Sequence, residues 1–525
     1  MPQPSISRRR FLAGAGLTAL ALSLSRLAPP APAGRRGRRR RRRAASPAPA
    51  YGDWRDVYRR AWTWDSIHKG THHVNCWYQR GCNWNVYVKD GLVLREEQAA
   101  TYEQTNSEVP DFNPRGCQKG ACYSSRLYGA GRLRYPLKRV GERGAGKWKR
   151  LSWPEALGEV ADLVIDALTE DGPGSIVWDQ GTANTSGCNG VGLHRTGFVL
   201  DTPILNVNCE VGDHHPGALA TLGKLSFSGS ADEMFYSDLI LVWGGNPVYT
   251  QIPNAHFLLE ARYRGAHLVC IAPDLSASAI HADRWVPIRP GTDAALGLAL
   301  AHVIIDENLL NQAFVAEQTD LPLLVRTDTQ KLLRKADMEA GGPGDVFYVW
   351  DEASGGLREA GRRSLALGDI RPALEGRFRI ETAGGKRVEV ATVLTLLTER
   401  LAAYTPEAVE QTTGVAAPVI VELARRIASA KAAHLVTQSN FSKYYHGIEM
   451  ERAQILVMAL CGHLGRKGAG ISVFPAMTIA GASSALVSSG SLSPRAGALL
   501  LAAKTAPRFL AGRLRGLTDE MIVRE

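Results

Sequence analysis

Apolar residues along the chain switch repeatedly between helical spacing and short continuous runs, which is typical of an α/β fold. A capping box formed by Ser152 and Glu155, with Pro154 in the first turn, predicts the start of an amphipathic helix. Short apolar runs bounded by turn residues predict buried strands. Strands are predicted over residues 175–178, 239–243, 267–272 and 433–437, and helices over residues 156–168, 255–264, 294–305 and 416–430.

Small and polar residues follow the predicted strands. In open α/β sheets, ligands bind at the carboxyl ends of the strands, so these residues can contact a nucleotide. Each turn alone is a weak signal, because turns between strands and helices are rich in glycine anyway. The residues in question are Gly244, Asn246 and Pro247, then Asp274, and then Gly291, Thr292 and Asp293.

Residues 326–395 break the alternation, because they are polar, interrupted and rich in glycine. We interpret this stretch as an insertion or a surface lobe. The alternating pattern resumes from Thr405 onwards. The α/β body is therefore predicted to be divided by the insertion.

Composition and charge narrow the possible functions. The chain has 525 residues, of which 45% are hydrophobic and 22% charged, which excludes a disordered polymer. Its net charge of +11 would by itself suggest nucleic-acid binding. However, residues 1–50 contain 12 arginines and no acidic residue, and the remainder has 50 basic against 51 acidic residues. The body is neutral, so composition gives no support for a nucleic-acid partner.

The N-terminal segment carries an export pattern. Arg8, Arg9 and Arg10 precede an apolar run over residues 11–24, which is shorter than the ~20 residues that span a bilayer. This order predicts a twin-arginine signal, with a cationic amphipathic arm as the alternative. Such a signal implies export of an already folded protein, so we expect a periplasmic or extracytoplasmic location. We interpret the arginine tract over residues 35–43 as a basic linker or as a sign of a different start codon.

Three of the eight cysteines join a histidine in a spacing suited to metal binding, His72-x3-Cys76-x5-Cys82-x34-Cys117. An exported chain with an even cysteine count also permits disulfides, but a chain of this size does not depend on them. Three thiolates and an imidazole can hold an iron–sulfur cluster or a zinc ion, and the spacing does not separate these two. His73 is the alternative imidazole ligand, and Cys122 is predicted to be a small buried residue.

The residues around these cysteines resemble the cluster domain of the molybdopterin oxidoreductases of the dimethyl-sulfoxide reductase family, in the type II branch of nitrate reductase. Residues 62–125 are most similar to dimethylsulfide dehydrogenase, ethylbenzene dehydrogenase, and the selenate and chlorate reductases. The five-residue gap between Cys76 and Cys82 favours that side of the branch. The resemblance implies a 4Fe–4S cluster with His72, Cys76, Cys82 and Cys117 as ligands. It also implies that Lys119 lies between the cluster and the pterin, with a solvated lysine as the alternative.

A second stretch, residues 208–216, resembles the family segment that supplies an aspartate ligand to molybdenum, and Asp213 falls at that position. A carboxylate suits an oxidised, oxygen-binding metal, although an aspartate in such a turn is otherwise a turn former. His214 and His215 flank it and can touch substrate. By the same resemblance the guanine dinucleotide halves of the cofactor bind Gly244, Asn246, Pro247, Asp274, Gly291, Thr292 and Asp293. His446 is a pterin-side candidate, with a satisfied core histidine as the alternative.

The resemblance implies the catalytic alpha subunit of an exported respiratory complex, with a 4Fe–4S cluster and Mo-bis(molybdopterin guanine dinucleotide) as cofactors. Such an enzyme transfers an oxygen atom or hydroxylates a small-molecule substrate. The implied partners are an iron–sulfur beta subunit, a b-haem gamma subunit and a cytoplasmic maturation chaperone. The substrate is open among nitrate, chlorate, selenate, dimethyl sulfide and hydrocarbons. The alternatives are a truncated, non-catalytic electron-transfer protein and a zinc or disulfide scaffold.

The resemblance covers about residues 55–475 and implies an α/β class with an N-terminal iron–sulfur domain and two interleaved doubly wound α/β domains. The family's C-terminal β-barrel domain has no counterpart, which predicts a truncated reading or a second polypeptide that supplies the rest. The expected divisions are a signal and linker over 1–50, the cluster domain over 51–135, a discontinuous α/β domain over 136–180 and 396–525, and a second α/β domain over 181–395.

Overall fold

A computed structural model shows how the chain folds. It describes residues 53–55, 63–70, 84–99, 104, 106–110, 116–179, 187–205, 215–223, 231–250, 252–360, 367–437, 441–472, 503, 506–507 and 509–517. The predictions at His72, Cys76, Cys82 and Asp213, and the export signal, lie outside these residues. Within them, no helix has both the length and the apolar character that crossing a bilayer requires.

An antiparallel meander opens the described part of the chain, and two short helices follow it. The elements are β1 (Ser66–Gly70), β2 (Trp84–Lys89), β3 (Leu92–Gln98), α1 (Gln118–Ala121) and α2 (Tyr123–Leu127). The carboxyl group of Glu96 on β3 accepts a hydrogen bond of 2.7 Å from the Ser124 hydroxyl on α2. This contact holds the segment that contains Cys117 against the meander.

The predicted capping box is confirmed in the next segment, where the hairpin of β4 (Leu137–Arg139) and β5 (Trp148–Arg150) leads into α3 (Trp153–Glu170). The Glu155 backbone N–H donates to Ser152 Oγ at 3.3 Å, and the Ser152 N–H donates to the Glu155 carboxyl group at 2.7 Å. Both contacts satisfy amides that have no partner inside the helix. The apolar side of α3 is nevertheless open to solvent in the described fold, with Leu163 69% exposed.

The predicted strand over residues 175–178 is wrong. The chain instead forms a 3₁₀ turn at Pro173–Ser175, and only Trp178 pairs with another segment, through a single bridge to Ile204. Pro173 and Gly174 favour a turn, and one bridge does not extend into a ladder. The helix α4 (Gly187–Leu200) follows.

The next stretch confirms the predicted alternation of strands and helices. Its elements are α5 (Pro216–Leu222), β6 (Leu239–Trp243), α6 (Pro247–Thr250), α7 (Ile252–Tyr263), β7 (His267–Ile271), β8 (Arg284–Val286), α8 (Asp293–Asp306) and α9 (Gln312–Gln318). The predicted strands at 239–243 and 267–272 and the helices at 255–264 and 294–305 each fall on one of these elements.

The insertion over residues 326–395 is an ordered antiparallel lobe. It contains β9 (Leu324–Arg326), β10 (Lys331–Leu332), α10 (Lys335–Met338), β11 (Phe347–Asp351), β12 (Gly356–Ala360), β13 (Arg377–Glu381) and β14 (Arg387–Thr392). Four strands pair in the order β10-β9-β14-β13, and β11 and β12 form a hairpin. Leu324, Leu333 and Val390 lie in a core of the lobe's own.

The chain then returns to the centre of the molecule. The remaining elements are α11 (Val393–Leu401), α12 (Pro406–Thr413), α13 (Ala417–Ser429), β15 (Ala433–Val436), α14 (Gly447–Leu460) and β16 (Gly470–Ser472). β15 pairs in parallel with β6, which completes a five-stranded sheet in the order β16-β15-β6-β7-β8. The predicted helix over 416–430 and strand over 433–437 are confirmed.

The central sheet is buried on both faces, which explains why its strands are continuous apolar runs. Side chains alternate along β6: Leu241 and Trp243 face a core shared with α8, α13 and α14, whereas Val242 faces a second core shared with α7. β7 lies on one side of β6 and β15 on the other. The strand order therefore reverses at β6, and the carboxyl ends of β6 and β15 form a topological switch point.

Candidate functional site

The carboxyl end of β6 is fixed by two long-range hydrogen bonds. Trp243 Nε1 donates to Asp293 Oδ1 at 2.8 Å, which ties the strand to the first turn of α8. The backbone oxygen of Trp243 accepts from Gln454 Nε2 on α14 at 3.3 Å. The loop that leaves the strand at Gly244 thus starts from a rigid position at the switch point.

Asp293 faces the protein interior rather than the open edge of the sheet. The residue is 6% exposed. Burial raises the pKa of its carboxyl group to about 6, although the hydrogen bond from Trp243 acts in the opposite direction. Asp293 therefore positions Trp243, while the neighbouring Gly291 and Thr292 are half-buried. The Thr292 hydroxyl donates to the Arg289 carbonyl at 2.7 Å and closes this turn.

The loop after β6 is held by the loop after β7. Asn246 Oδ1 accepts from the Ser278 hydroxyl at 2.7 Å, and the same hydroxyl oxygen accepts from the Val248 N–H at 3.1 Å. Pro247 is buried at the start of α6, whereas Asp274 is exposed just beyond the end of β7. Two of the predicted nucleotide loops therefore share one hydrogen-bond network. Nothing in the sequence pattern singled out Ser278, which lies in an ordinary serine-rich turn.

The loop over residues 441–446 comes back to the same edge. Gly244 has a φ of 90°, and a Cβ there would lie 2.3 Å from the Phe441 ring. Only glycine fits this combination of conformation and contact. Gly291 has a φ of 83°, and a Cβ on it would lie 3.6 Å from the Tyr444 ring. The structure thus brings Gly244 and Gly291 against the segment that contains Phe441 and Tyr444.

His446 is not a core histidine. Its side chain is 65% exposed, and its Nδ1 lies 4.0 Å from the carboxyl group of Glu449. The alternative of a satisfied core histidine is therefore wrong, because this residue precedes α14 in an exposed turn. An exposed imidazole at the edge of the switch point is accessible to a ligand.

The environment of Thr437 indicates whether the carboxyl edge of the sheet at β6 and β15 fits a polar ligand. It follows β15 directly and is 3% exposed. Its hydroxyl group is buried and has no hydrogen-bond partner among the described residues. Buried hydroxyl groups are normally paired, so this one is suited to a polar group that the described fold does not supply. Together with Gly291 and Thr292, it fits a nucleotide-bearing cofactor at the switch point.

Of the four predicted cluster ligands, Cys117 is the one that lies among the described residues. Cys117 is 2% exposed and precedes α1, and Lys119 on α1 is exposed. A Cβ on Gly116 would lie 2.8 Å from the Trp84 ring, so this glycine allows the segment to pack on Trp84. No group of three metal-ligating side chains occurs within the described ranges, from which His72, Cys76 and Cys82 are missing.

Cys122 is exposed, which corrects the prediction of a small buried residue. It lies between the two short helices α1 and α2, where the chain turns at the surface of the meander. Its thiol group donates to the Lys119 carbonyl at 3.5 Å. Of the two cysteines described in this segment, Cys117 is the one withdrawn from solvent.

Asp213 lies outside the described residues, but the chain is described again two positions later. His215 is 1% exposed and immediately precedes α5. Its Nδ1 lies 3.1 Å from the carboxyl group of Glu451 on α14, which is itself 3% exposed. This pair could not be predicted from the sequence, because 236 positions separate its members.

Comparisons with known proteins agree with this architecture. Residues 132–510 match the family model of molybdopterin oxidoreductase. The chain is 44% identical over 424 residues to the dimethylsulfide dehydrogenase subunit alpha of Rhodovulum sulfidophilum, a match that covers 80% of this chain and 46% of that protein. It is 43% identical over 429 residues to the chlorate reductase subunit alpha of Ideonella dechloratans, covering 80% and 45% of the two chains.

A third relative is the perchlorate reductase subunit alpha of Dechloromonas aromatica, 38% identical over 493 residues, with 89% of this chain and 52% of that protein covered. The chain thus spans about half the length of the curated relatives it matches. Among solved structures, acetylene hydratase from Pelobacter acetylenicus superposes with a TM-score of 0.50 at 22% identity, over 76% of this chain and 44% of that one. This likeness concerns the fold alone.

The matches confirm the resemblance of the chain to this family. The family match extends over most of the chain and includes the whole central sheet and the loops at its carboxyl edge. The relatives named above are alpha subunits of dimethylsulfide, chlorate and perchlorate oxidoreductases. The chain belongs to the molybdopterin oxidoreductase family, within the type II branch of the dimethyl-sulfoxide reductases that contains these relatives.

Proposed function

We propose that this chain is the catalytic alpha subunit of a molybdenum-dependent oxidoreductase that carries Mo-bis(molybdopterin guanine dinucleotide) and a 4Fe–4S cluster. The observation that carries the proposal is the convergence of the nucleotide loops at the β6–β15 switch point. Gly244, Gly291 and Thr437 lie at that edge, where the glycine conformations and a hydroxyl group without a partner among the described residues suit a nucleotide. The family match supports the identity of the cofactor.

In this proposal the residues of the switch point bind and orient the cofactor. The backbone at Gly291 and Thr292 and the side chains of Thr437 and Asp274 contact its guanine dinucleotide halves. Asn246, held by Ser278, fixes the shape of the first loop. Asp213 is the protein ligand to molybdenum, and His446 lies on the pterin side. When bound, the cofactor supplies oxygen-atom transfer or hydroxylation, while the protein supplies position and electrostatics.

The cluster segment provides the electron path in this proposal. His72, Cys76, Cys82 and Cys117 hold the 4Fe–4S cluster, and Lys119 lies between the cluster and the pterin. Histidine ligation changes the charge of a cluster and hence its reduction potential. An iron–sulfur beta subunit and a b-haem gamma subunit receive or supply electrons, as expected for the alpha subunit of a larger complex.

We further propose export of the folded protein by the twin-arginine route to the periplasm, after a cytoplasmic chaperone has assisted cofactor loading. The signal pattern at Arg8 and Arg9 supports this route. The proposed cofactors also support it, because they are inserted before export. The substrate is a small oxyanion, sulfide or hydrocarbon of the kinds that the type II branch uses.

Metal analysis of the full chain, purified without oxygen and free of other iron-containing subunits, tests the proposal. We expect molybdenum together with roughly four iron atoms per chain. Iron without molybdenum would support the non-catalytic electron-transfer alternative, and zinc or no metal would support a scaffold. Either of these two outcomes contradicts the enzyme proposal.

A matched pair of cysteine variants tests the cluster ligands. Cys117→Ser is expected to lose most of the iron and the broad visible absorption of the cluster, because it removes a thiolate ligand. Cys122→Ser serves as the control, since it is an exposed cysteine only five positions away and is not assigned to the cluster. Equal iron in both variants would remove Cys117 from the ligand set.

A further inference from the structure

Arg289 joins the loop before α8 to the end of α12. Its backbone N–H donates to the Thr413 carbonyl at 2.9 Å. Its guanidinium Nη1 donates to the Gln411 carbonyl and, at 3.2 Å, to the Thr412 carbonyl. One residue therefore holds the loop and the last turn of α12 together, although 122 positions separate Arg289 from Gln411.

These contacts complete the C-terminus of α12. The last four carbonyl groups of an α-helix have no partner inside the helix. The Glu410 carbonyl accepts from the Gly414 N–H at 2.8 Å, and Arg289 supplies donors to the three carbonyls that follow. A positive charge at this end of a helix also interacts favourably with the helix dipole. Arg289 is thus bound at a position that the helix end itself creates.

The carbonyl group of Arg289 shapes the turn that follows it. It accepts from the Thr292 hydroxyl at 2.7 Å and from the Thr292 N–H at 3.3 Å. Thr292 precedes α8, a position where a threonine side chain commonly accepts from an N–H of the helix. Within the described fold, this side chain makes no such bond to α8. Its orientation is set by Arg289 instead, and Gly291 lies inside the same turn.

The helix that holds Arg289 is itself fixed in the central core. Val409 of α12 is 3% exposed and belongs to the core that contains Leu296 of α8. The Glu410 carboxyl group accepts from the Ala417 N–H at 2.8 Å, which joins α12 to α13. The end of α12 is therefore a rigid support for the loop that Arg289 starts.

We propose that Arg289 is a positioning residue for the guanine nucleotide of the cofactor, an inference that rests on the function proposed above. Gly291 and Thr292 are the loop residues assigned there to the nucleotide, and both are half-buried. Arg289 acts through Thr292, because its contacts with α12 hold the turn in one conformation before the nucleotide binds. A loop that is ordered in advance loses less entropy on binding, so the nucleotide is retained more strongly.

The test compares Arg289→Gln with two controls in the full chain, purified without oxygen with its cofactor. Glutamine removes the guanidinium group and leaves the backbone N–H in place. Thr405→Ala removes the N-cap of α12, whose side chain accepts from the Ala408 N–H at 3.3 Å, so it weakens the same helix at the opposite end. Arg425→Gln makes the same substitution at an exposed arginine that pairs with Glu307.

Only Arg289→Gln is expected to change the retention of the nucleotide. The bound nucleotide is measured as GMP released from the protein by acid hydrolysis, at intervals during dialysis. We expect its rate of loss to rise roughly tenfold, as for the removal of a hydrogen-bonded charged group. Amide hydrogen exchange in residues 291–296 of the loaded protein should accelerate as well. In Thr405→Ala, faster exchange should be confined to residues 406–413.

Three results would overturn the inference. An unchanged rate of nucleotide loss in Arg289→Gln, with faster exchange in residues 406–413, would reduce Arg289 to a cap of α12. An equal rise in Thr405→Ala or Arg425→Gln would show a general effect of instability. Absence of guanine nucleotide from the unmodified protein would contradict the proposed function itself, which separates that failure from the other two.

Discussion

The carboxyl group of Asp293 combines deep burial with a single side-chain hydrogen bond from Trp243. Its position after Gly291 and Thr292 suggested contact with a nucleotide, because such residues open helices at the carboxyl edge of a sheet. The direction in which it points depends on the indole of Trp243, 50 positions away in the sequence. A sequence pattern does not contain that information, and the same holds for Ser278 and Glu451.

Asp293→Asn is expected to change how stability depends on pH. The folded-state pKa of about 6 lies above the ordinary aspartate value of 3.8, so between these values the folded protein holds a proton that the unfolded chain has released. Between these two values, the stability of the wild-type protein relative to the variant falls as the pH rises. The full change is about 3 kcal/mol. Urea unfolding of both proteins at pH 4.5 and pH 7 samples about 2 kcal/mol of this change, because the carboxyl group of the unfolded chain is already mostly ionised at pH 4.5.

Asp306→Asn is the control for this experiment, because Asp306 is exposed at the other end of the same helix. Because Asp306 is exposed, its substitution removes a negative charge from the same helix without removing a buried carboxyl group. If the difference in unfolding free energy between Asp293→Asn and the wild-type protein does not vary with pH, the Asp293 carboxyl group is not held in a desolvated state.

At the scale of elements, helices and strands of the central sheet were predictable. The helix predicted over 294–305 is Asp293–Asp306, and the helix predicted over 416–430 is Ala417–Ser429. These predictions succeeded because apolar periodicity and turn residues mark the same boundaries. The predicted strand over 175–178 is wrong because, among the described residues, its pairing is limited to the bridge between Trp178 and Ile204.

The capping box of α3 provides a prediction at this scale. Ser152→Ala removes the side chain that accepts from the Glu155 N–H, at a cost of about 1 kcal/mol to the helix. Because few described residues pack on α3, the loss should appear locally, as roughly fivefold faster amide exchange in its first turns. Hydrogen exchange with mass spectrometry of the 153–170 segment measures this rate.

Thr169→Ala is the control for the capping box, since its hydroxyl bonds the Asp166 carbonyl at the opposite end of α3. It should leave the first turns unchanged. Unaltered exchange in Ser152→Ala would mean that the cap contributes nothing to the start of the helix.

At the scale of the whole molecule, the α/β class and the insertion could be predicted, but the strand order could not. The pairing of β15 with β6 joins segments that are distant in the sequence, and apolar runs do not specify their neighbours. The insertion read as polar because its antiparallel strands alternate between solvent and a small core. The strands of the insertion could therefore not be predicted, because their pattern of polar and apolar residues resembles that of a loop.

The lobe is expected to unfold without the central sheet. Leu333→Ala and Leu300→Ala each truncate a leucine that is 0% exposed, the first in the lobe core and the second in the main core. Each should cost about 2–5 kcal/mol. Hydrogen exchange should show faster opening of β9–β14 alone in Leu333→Ala and of the parallel sheet in Leu300→Ala. Equal opening of the sheet in both would show that lobe and sheet are one cooperative unit.

The order β15-β6-β7 has a consequence for how the protein is made. β7 leaves the ribosome soon after β6, but β15 follows about 190 residues later. At a synthesis rate of 5–20 residues per second, one edge of β6 remains without its partner strand for roughly 10–40 s. During that interval β6, an apolar strand that is buried in the folded protein, exposes unpaired backbone groups along this edge. The nascent chain is therefore vulnerable to misassociation at this edge, where Gly244 after β6 and Phe441 after β15 later pack against each other.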